Sequence, residues 1–226
     1  MIHKRIESLR KEIMKRIPHN MKLGFYLYDT KSKKTIMINE DDWFPLASVT
    51  KWITSMVITI LNRSVDRKDL FLAISEHSRT AYERLNKVFP DSHLNEILKG
   101  LDIECIISSY NRDVVNNNGT PKGLFRLMNI LLSREALNPD GRGAIIEGMK
   151  QQADSDGFRF EGQWYHMTGG LDGVCNDVGF VEAADRKLIV IGLLHCEDDA
   201  VEWTDLEKVM NEIGELIRNT YSSAFK

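Results

Sequence analysis

The spacing of hydrophobic residues predicts an amphipathic helix at each end of the chain. Residues 2–17 carry isoleucine or leucine at every third or fourth position, with charged residues between them, and Pro18 ends the pattern. Residues 203–221 repeat this arrangement with apolar side chains on one face: Leu206, Val209, Met210, Ile213, Leu216 and Ile217. Helices of this kind bury one face against a neighbouring element and leave the other face in water.

Strand patterns follow the first helix and precede the last one. Residues 22–29 and 35–39 are separated by the polar turn 31–34, which predicts a hairpin. Three more strands are predicted at residues 163–167, 177–183 and 187–195, with a turn at Ala184–Arg186. Because no helix intervenes among these three strands, we expect them to be antiparallel. The order predicts one sheet built from both ends of the chain, with the terminal helices covering one of its faces.

The middle of the chain is mainly helical. Residues 52–61 are apolar nearly all round, which predicts a buried helix. Further helices are predicted at residues 69–76, 80–88, 94–98, 122–133 and 144–152, and Thr120-Pro121 provides an N-cap and a first helical residue. The predicted class is therefore α+β. We expect a sheet lobe formed by residues 1–50 and 156–226, a helical lobe formed by residues 51–155, and a site in the cleft between them.

Composition narrows the possible functions. The net charge of −3 over 226 residues gives no reason to expect nucleic acid or an anionic membrane as a partner. Cys105, Cys175 and Cys196 are widely spaced and predict buried free thiols rather than a disulfide or a metal site. The first helix has charges throughout, unlike a secretory signal, and no apolar run is long enough to cross a membrane. We expect a cytoplasmic protein without a metal or another cofactor.

Candidate chemistry lies at the start of the buried helix, in the segment FPLASVTKW. Ser48 and Lys51 are three positions apart, so their side chains share one face of a helix. Burial can lower the pKa of a lysine until its neutral amine accepts the proton of a neighbouring serine. The start of a helix also favours the negative charge that develops when serine attacks a carbonyl. The alternative is an N-cap serine followed by an ordinary surface lysine.

The ordered segments resemble the serine β-lactamases and penicillin-binding proteins, with a layout most similar to class A β-lactamases. The resemblance covers nearly the whole chain, through YDTKSKKTIMIN, FPLASVTK, NGTPKGLFRLMNIL, MTGG and NDVGFVEAADRKLIVIGLL. It implies a β-lactamase/transpeptidase-like fold, with an antiparallel sheet flanked by the terminal helices and a helical lobe. It also implies that Ser48 is the nucleophile and Lys51 its proton partner.

The second motif of that family, S-D-N, is altered. The segment HSRTA stands where the family has SDNTA, so His77 falls at the serine position, Ser78 at the aspartate and Arg79 at the asparagine. His77 could shuttle a proton, because imidazole titrates near neutrality. Alternatively, Ser78 takes this role after a local shift of one residue. In a third interpretation, His77 and Ser78 only cap the next helix.

The third motif, K-T-G, is altered as well. Thr168 and Gly169 match the threonine and glycine, but Met167 replaces the lysine that contributes positive charge near the substrate carboxylate in the family. Thr168 can still donate a hydrogen bond, and the amides of Gly170 and Ser48 would form the oxyanion hole. Lys187 is a possible replacement cation, although a solvated lysine at a strand end is the simpler interpretation.

A class A enzyme also has a glutamate that activates the deacylating water. Residues 101–119 lack the E-x-x-L-N pattern and offer only Asp102, Glu104 and Asp113, while Glu135–Asn138 follows the Thr-Pro helix and predicts a turn. The sequence therefore predicts a serine hydrolase acting through acyl-Ser48 on a small-molecule or peptide ester or amide, and a poor β-lactamase. The alternative is a non-catalytic binding protein of the same fold. The sequence does not indicate an oligomeric state.

Overall fold

The computed structural model of the protein describes residues 2–88, 90–108, 117–133, 137–160, 162–183 and 185–225. Its helices are α1 (Ile2–Arg16), α2 (Val49–Ile60), α3 (Arg67–Ser75), α4 (Arg79–Leu85), α5 (Asp91–Gly100), α6 (Pro121–Ser133), α7 (Pro139–Lys150) and α8 (Trp203–Thr220). Its strands are β1 (Met21–Asp29), β2 (Lys34–Ile38), β3 (Phe44–Pro45), β4 (Cys105–Ile106), β5 (Asn118–Gly119), β6 (Trp164–Leu171), β7 (Val174–Ala183) and β8 (Arg186–Cys196). None of the described helices combines the length and apolarity needed to cross a membrane.

The main sheet unites the two ends of the chain. Its strand order is β2-β1-β8-β7-β6, and each neighbouring pair is antiparallel. Strand β1 pairs with β8 from Met21↔Cys196 to Asp29↔Leu188. The predictions of an antiparallel arrangement and of a sheet made from both termini are confirmed.

Apolar cores cover both faces of this sheet. On one face, Ile13 of α1 and Ile213 of α8 share a buried cluster with Phe25 and Val190. On the other face, Ile191 belongs to a cluster with Trp52 of α2 and residues of α6. Successive residues of a strand point to opposite faces, and β8 is buried on both sides because each face has its own cover. The predicted position of the terminal helices is therefore confirmed.

Two element boundaries differ from the sequence prediction for local reasons. Helix α7 begins at Pro139 rather than at residue 144, because Asn138 Oδ1 accepts hydrogen bonds from the amides of Asp140 and Gly141 and caps the helix. Strand β6 continues to Leu171, beyond the predicted end at residue 167. The strand therefore includes Thr168, Gly169 and Gly170, which the sequence pattern placed after its end.

A second, smaller sheet was not predicted. Strand β5 pairs with β3 through Phe44↔Gly119 and with β4 through Cys105↔Gly119. Strands of two residues carry no period, so the sequence gives no sign of them. This sheet fixes the chain just before Ser48 beside the segment around Asn118, and Leu46 N–H donates to Asn117 O at 2.8 Å.

Some predicted features lie outside the described residues. These are Asp113, the turn residue Ala184, Glu135 of the E-A-L-N segment and most of the polar loop that begins near Asn111. The division of the chain into two lobes at residues 50 and 155 stays a prediction.

Strand β6 approaches the start of α2 closely at a glycine. A Cβ atom on Gly169 would lie 2.8 Å from Leu46 O and 3.0 Å from Val49 Cγ2. Leu46 O and Val49 N, the latter at 3.2 Å, are backbone atoms that cannot move aside as a flexible side chain would. The absence of a side chain at Gly169 therefore lets the strand pass directly behind the Ser48 segment.

Replacing Gly169 by alanine should destabilise the protein by about 1–3 kcal/mol, because the added methyl group overpacks this contact. The measurement is urea unfolding of both proteins at the same pH. Gly100→Ala is the control, since a Cβ there meets no atom within 4 Å. This control should leave stability unchanged or raise it by up to about 1 kcal/mol, because alanine favours a helix. A Gly169→Ala protein as stable as the parent would contradict the close approach.

Candidate active site

Ser48 and Lys51 are in direct contact at the start of α2. Lys51 Nζ lies 2.6 Å from Ser48 Oγ, as the spacing of the two residues predicts. The helix begins with backbone bonds from Val49 N–H to Leu46 O and from Lys51 N–H to Ser48 O. Ala47, immediately before the serine, has φ of +48°, which is unfavourable for a residue with a side chain. The contacts of the helix start hold this strained residue and fix the direction of Ser48.

Burial changes the acid strength of the lysine. Lys51 is largely enclosed, and burial lowers its pKa from 10.5 to about 8. Its Nζ lies 5.7 Å from the centre of the Tyr82 ring, whose face favours a cation. Roughly a tenth of the molecules would therefore carry the neutral amine at pH 7, a form that can accept a proton. Ser48 N–H has no acceptor among the described residues, so this donor is available to a ligand.

His77 contacts the sheet rather than Ser48 or Lys51. Its Nε2 lies 3.0 Å from Thr168 Oγ1 and 3.8 Å from Asp154 Oδ2. Burial, followed by the positive charge of Lys51, lowers the pKa of His77 to about 4, although Asp154 acts in the opposite direction. The imidazole is therefore neutral at physiological pH.

Hydrogen-bond partners assign the tautomer of His77. The Thr168 hydroxyl donates to Asp154 Oδ2 at 3.0 Å. Burial acts to raise the pKa of Asp154, but hydrogen bonds from the Asp156 amide and the Thr168 hydroxyl outweigh it and lower that pKa, so Asp154 is an anionic acceptor. With its only proton directed to Asp154, Thr168 can only accept from His77, which therefore carries its proton on Nε2. The unprotonated His77 Nδ1 is buried without a partner among the described residues.

Ser78 has a structural contact of its own. It is the N-cap of α4, and its Oγ accepts a hydrogen bond from the Ala81 amide at 3.3 Å. His77, just before it, has φ of +51°. This left-handed conformation turns the chain between α3 and α4 and lets the imidazole reach Thr168.

The sheet side of the site has no lysine. Met167 is fully buried in the apolar core, and its sulfur accepts a hydrogen bond from Gln152 Nε2 at 3.4 Å. His166 faces away from Met167 and pairs through Nδ1 with the buried Asp177 at 2.9 Å. Lys187 pairs with Glu182 near the Phe180 ring. Neither His166 nor Lys187 is among the residues around Ser48.

In the segment that could hold a deacylation glutamate, the two described carboxylates, Asp102 and Glu104, pair with an arginine. Arg126 Nη1 lies 2.9 Å from both Asp102 Oδ2 and Glu104 Oε1. Toward Ser48 the same segment presents Ser108 and Asn117, which bond to each other through the Asn117 amide and the Ser108 backbone. The described part of this segment therefore places polar but uncharged groups beside the serine.

Ser48 and Lys51 open into a cavity of about 220 Å³. Its walls come from the start of α2, from α4 and the residue after it, from the segment near β5 and from the end of β6: Ala47, Ser48, Thr50, Lys51, Arg79, Tyr82, Glu83, Asn86, Ser108, Asn117, Gly170 and Leu171. Gly170 thus shares a cavity with the serine, as the family resemblance implies. His77, Ser78 and Thr168 are not among the residues that line it. The described residues contain no cluster of three acidic, histidine or cysteine side chains that could hold a metal.

The sequence analysis assigned no role to three residues around this site. Arg79 was assigned only a position in a motif, and Tyr82, one turn further along α4, carried no signal beyond helical spacing. Asp154 lies in a polar stretch between α7 and β6, where local pattern cannot distinguish a buried partner of Thr168 from a solvated loop residue. Their roles depend on contacts between segments that are far apart in sequence.

The β-lactamase enzyme family matches residues 69–221 of the chain. This match includes His77 and Thr168 but begins after Ser48 and Lys51, so the geometry of that pair is an independent observation. No curated protein matches the sequence.

Solved structures agree with this assignment at the level of the fold. PBP-A is 16% identical with a TM-score of 0.83, over 95% of this chain and 96% of that protein. A mutant of PBP-A, seen as an acyl-enzyme complex with penicillin G, is 15% identical with a TM-score of 0.82 over 97% of each chain. A representative class A β-lactamase from Bacteroides cellulosilyticus is 17% identical with a TM-score of 0.80 over 97% of this chain and 98% of its own. The predicted β-lactamase/transpeptidase-like α+β fold is confirmed, and the chain belongs to the β-lactamase enzyme family.

Proposed function

We propose that the protein is a serine hydrolase that forms an acyl-enzyme on Ser48 with a small-molecule or peptide ester, amide or β-lactam-type substrate. The observation that carries this proposal is the contact of 2.6 Å between Ser48 Oγ and an amine whose burial lowers its pKa to about 8. An ordinary surface lysine beside a helix cap would be solvated and fully charged at neutral pH. Family membership supports the same reaction class.

Acylation requires one proton transfer to Lys51 and one from it. The neutral Lys51 amine accepts the hydroxyl proton as Ser48 Oγ forms a bond to the substrate carbonyl carbon. The carbonyl oxygen becomes negative and is stabilised by the amides of Ser48 and Gly170. The bond to the leaving group then breaks, and the leaving group takes up the proton that Lys51 received. Water later attacks the ester carbon and releases the acid and free Ser48.

His77 is the proposed proton shuttle between Lys51 and the leaving group. Lys51 is near enough for its charge to lower the pKa of His77, and the unprotonated, unpartnered Nδ1 is the nitrogen that would accept a proton and return it. The hydrogen bonds from Nε2–H to Thr168 and from Thr168 to Asp154 would stabilise the imidazolium formed in between. Ser78 is the weaker candidate, because its oxygen already accepts the Ala81 amide as a helix cap.

Deacylation of a β-lactam should be slow. The Asp102 and Glu104 carboxylates pair with Arg126, and Ser108 and Asn117 in the same segment have no basic group for the attacking water. Met167 supplies no cation on the sheet side. We therefore propose a poor β-lactamase, with an ester or amide as the better substrate.

Intact-mass measurement during incubation with an activated ester and with penicillin G tests the proposal. Both reagents should add one acyl group, located on Ser48 by peptide mapping, and the penicillin adduct should persist because water is poorly activated. Ser48→Ala should abolish both adducts. Lys51→Met should slow their formation at least 10²-fold, since the base is lost.

Thr59→Ala is the matched control, because it removes a buried hydroxyl near the other end of the same helix, where it donates to Ser55 O, and should leave acylation intact. A parent protein that remains unmodified by several electrophiles would overturn the proposal and favour a non-catalytic binding protein. Rapid turnover of a chromogenic cephalosporin, at rates on the order of 10–1000 per second, would contradict the slow deacylation.

His77→Asn should lower the rate of Ser48 acylation by roughly 10²-fold, because the proton relay is lost. Asparagine tolerates the positive φ at this position and keeps the turn. Ser78→Ala should lower stability by about 1 kcal/mol through loss of the cap while acylation continues. Stopped-flow acylation and urea unfolding separate the two effects. Loss of acylation in Ser78→Ala alone would move the shuttle to Ser78, and unchanged rates in both would remove the role from this segment.

A further inference from the structure

The cavity beside Ser48 has its positive charge on the helical wall. The sheet wall contributes Gly170 and Leu171, which carry no charge, and Met167 behind it is buried. Among the described residues that line the cavity, Lys51 and Arg79 are positive and Glu83 is negative. Lys51 is committed to Ser48 by its contact of 2.6 Å. Arg79 is therefore the cation that a substrate can meet away from the reacting carbonyl.

The contacts of Arg79 leave most of its guanidinium group accessible. It is the first residue of α4, its side chain is 76% exposed, and its Nε donates to Glu83 Oε1 at 3.1 Å. This contact uses one of the five N–H donors of the group. Exposed ion pairs one helical turn apart are weak, so an incoming anion can compete with Glu83 for the guanidinium. A planar guanidinium is also suited to bind a carboxylate through two parallel hydrogen bonds.

The remaining walls fit the body of such a substrate. The Tyr82 ring and the exposed Leu171 contribute apolar surface to the cavity that Arg79 and the Ser48 pair line, while Asn117 and Ser108 add polar groups. We propose that Arg79 is the specificity-determining residue of the Ser48 cavity and selects substrates with an apolar body and an anionic group. This inference rests on the acyl-Ser48 chemistry proposed above.

Two matched pairs of phenylacetate esters test the inference. In the first pair, the acyl group of a p-nitrophenyl ester carries a para carboxylate or a para carboxamide; in the second pair, the phenol leaving group carries these substituents. Acylation of Ser48 is followed by intact mass, and the measured quantity is the rate ratio of the anionic to the neutral ester. The parent protein should prefer the anionic member of at least one pair by roughly tenfold.

Arg79→Gln should bring this ratio close to that of the uncatalysed esters, and Arg79→Lys should restore part of the preference. Glu83→Gln should raise the ratio, because Arg79 loses its competing carboxylate. Raising the salt concentration from 0.05 to 0.5 M should lower the ratio in the parent protein, since an exposed charge is screened. Arg67→Gln is the matched control: Arg67 is also the exposed first residue of a helix with a carboxylate partner, Asp140, but lies outside the cavity. It should leave the ratio unchanged.

Equal ratios in the parent protein and Arg79→Gln, with Ser48 still acylated, would overturn the inference and leave the proposed function intact. A parent protein that neither ester pair acylates would overturn both. A preference that survives Arg79→Gln and persists in high salt would show that shape rather than the charge of Arg79 selects the substrate.

Discussion

The enclosure of Lys51 beside Ser48 is the constraint on which the rest of the site depends. A lysine amine is costly to bury while charged, and here burial lowers its pKa to about 8 instead of excluding it from the core. The apolar helix α2 makes this possible, because its residues beside the pair, Val49 and Trp52, belong to the buried apolar cluster that packs against the sheet. Ser48 then lies at the helix start with its own amide unpaired among the described residues, beside the end of β6. The family fold thus places a weak base, a hydroxyl and a potential oxyanion donor at one point.

The positive charge that a substrate can meet near Ser48 and Lys51 lies on the helical wall of the cavity and not on its sheet side. The sheet side contains a neutral imidazole, a threonine and a carboxylate, joined as His77, Thr168 and Asp154. The position that would hold a lysine is Met167, and the positive charge at the cavity lies on α4 at Arg79. A substrate anion would therefore be held by the helical wall. This difference, together with the absence of a basic group at Ser108 and Asn117, separates the proposed activity from efficient β-lactam hydrolysis.

Sequence alone could predict the features that follow from local periodicity and spacing. The terminal helices, the individual strands of the main sheet and the contact of Ser48 with Lys51 depend on patterns within a few residues of each other. Strands β3, β4 and β5 were missed because two residues carry no period. The partnership of His77 with Thr168 joins residues 91 positions apart, and Asp154 depends on the same contact. The start of α7 was missed because the Asn138-Pro139 cap was interpreted as a turn.

Direct titration of the Lys51 amine tests the central claim of this account most sharply. The ¹³Cε resonance of Lys51, assigned by its absence in Lys51→Arg, should shift with a midpoint near pH 8, because burial favours the neutral amine. A Lys51 midpoint near 10.5, the value of an ordinary lysine, would mean that the amine is charged at neutral pH. The account of Lys51 as the base that activates Ser48 would then be wrong.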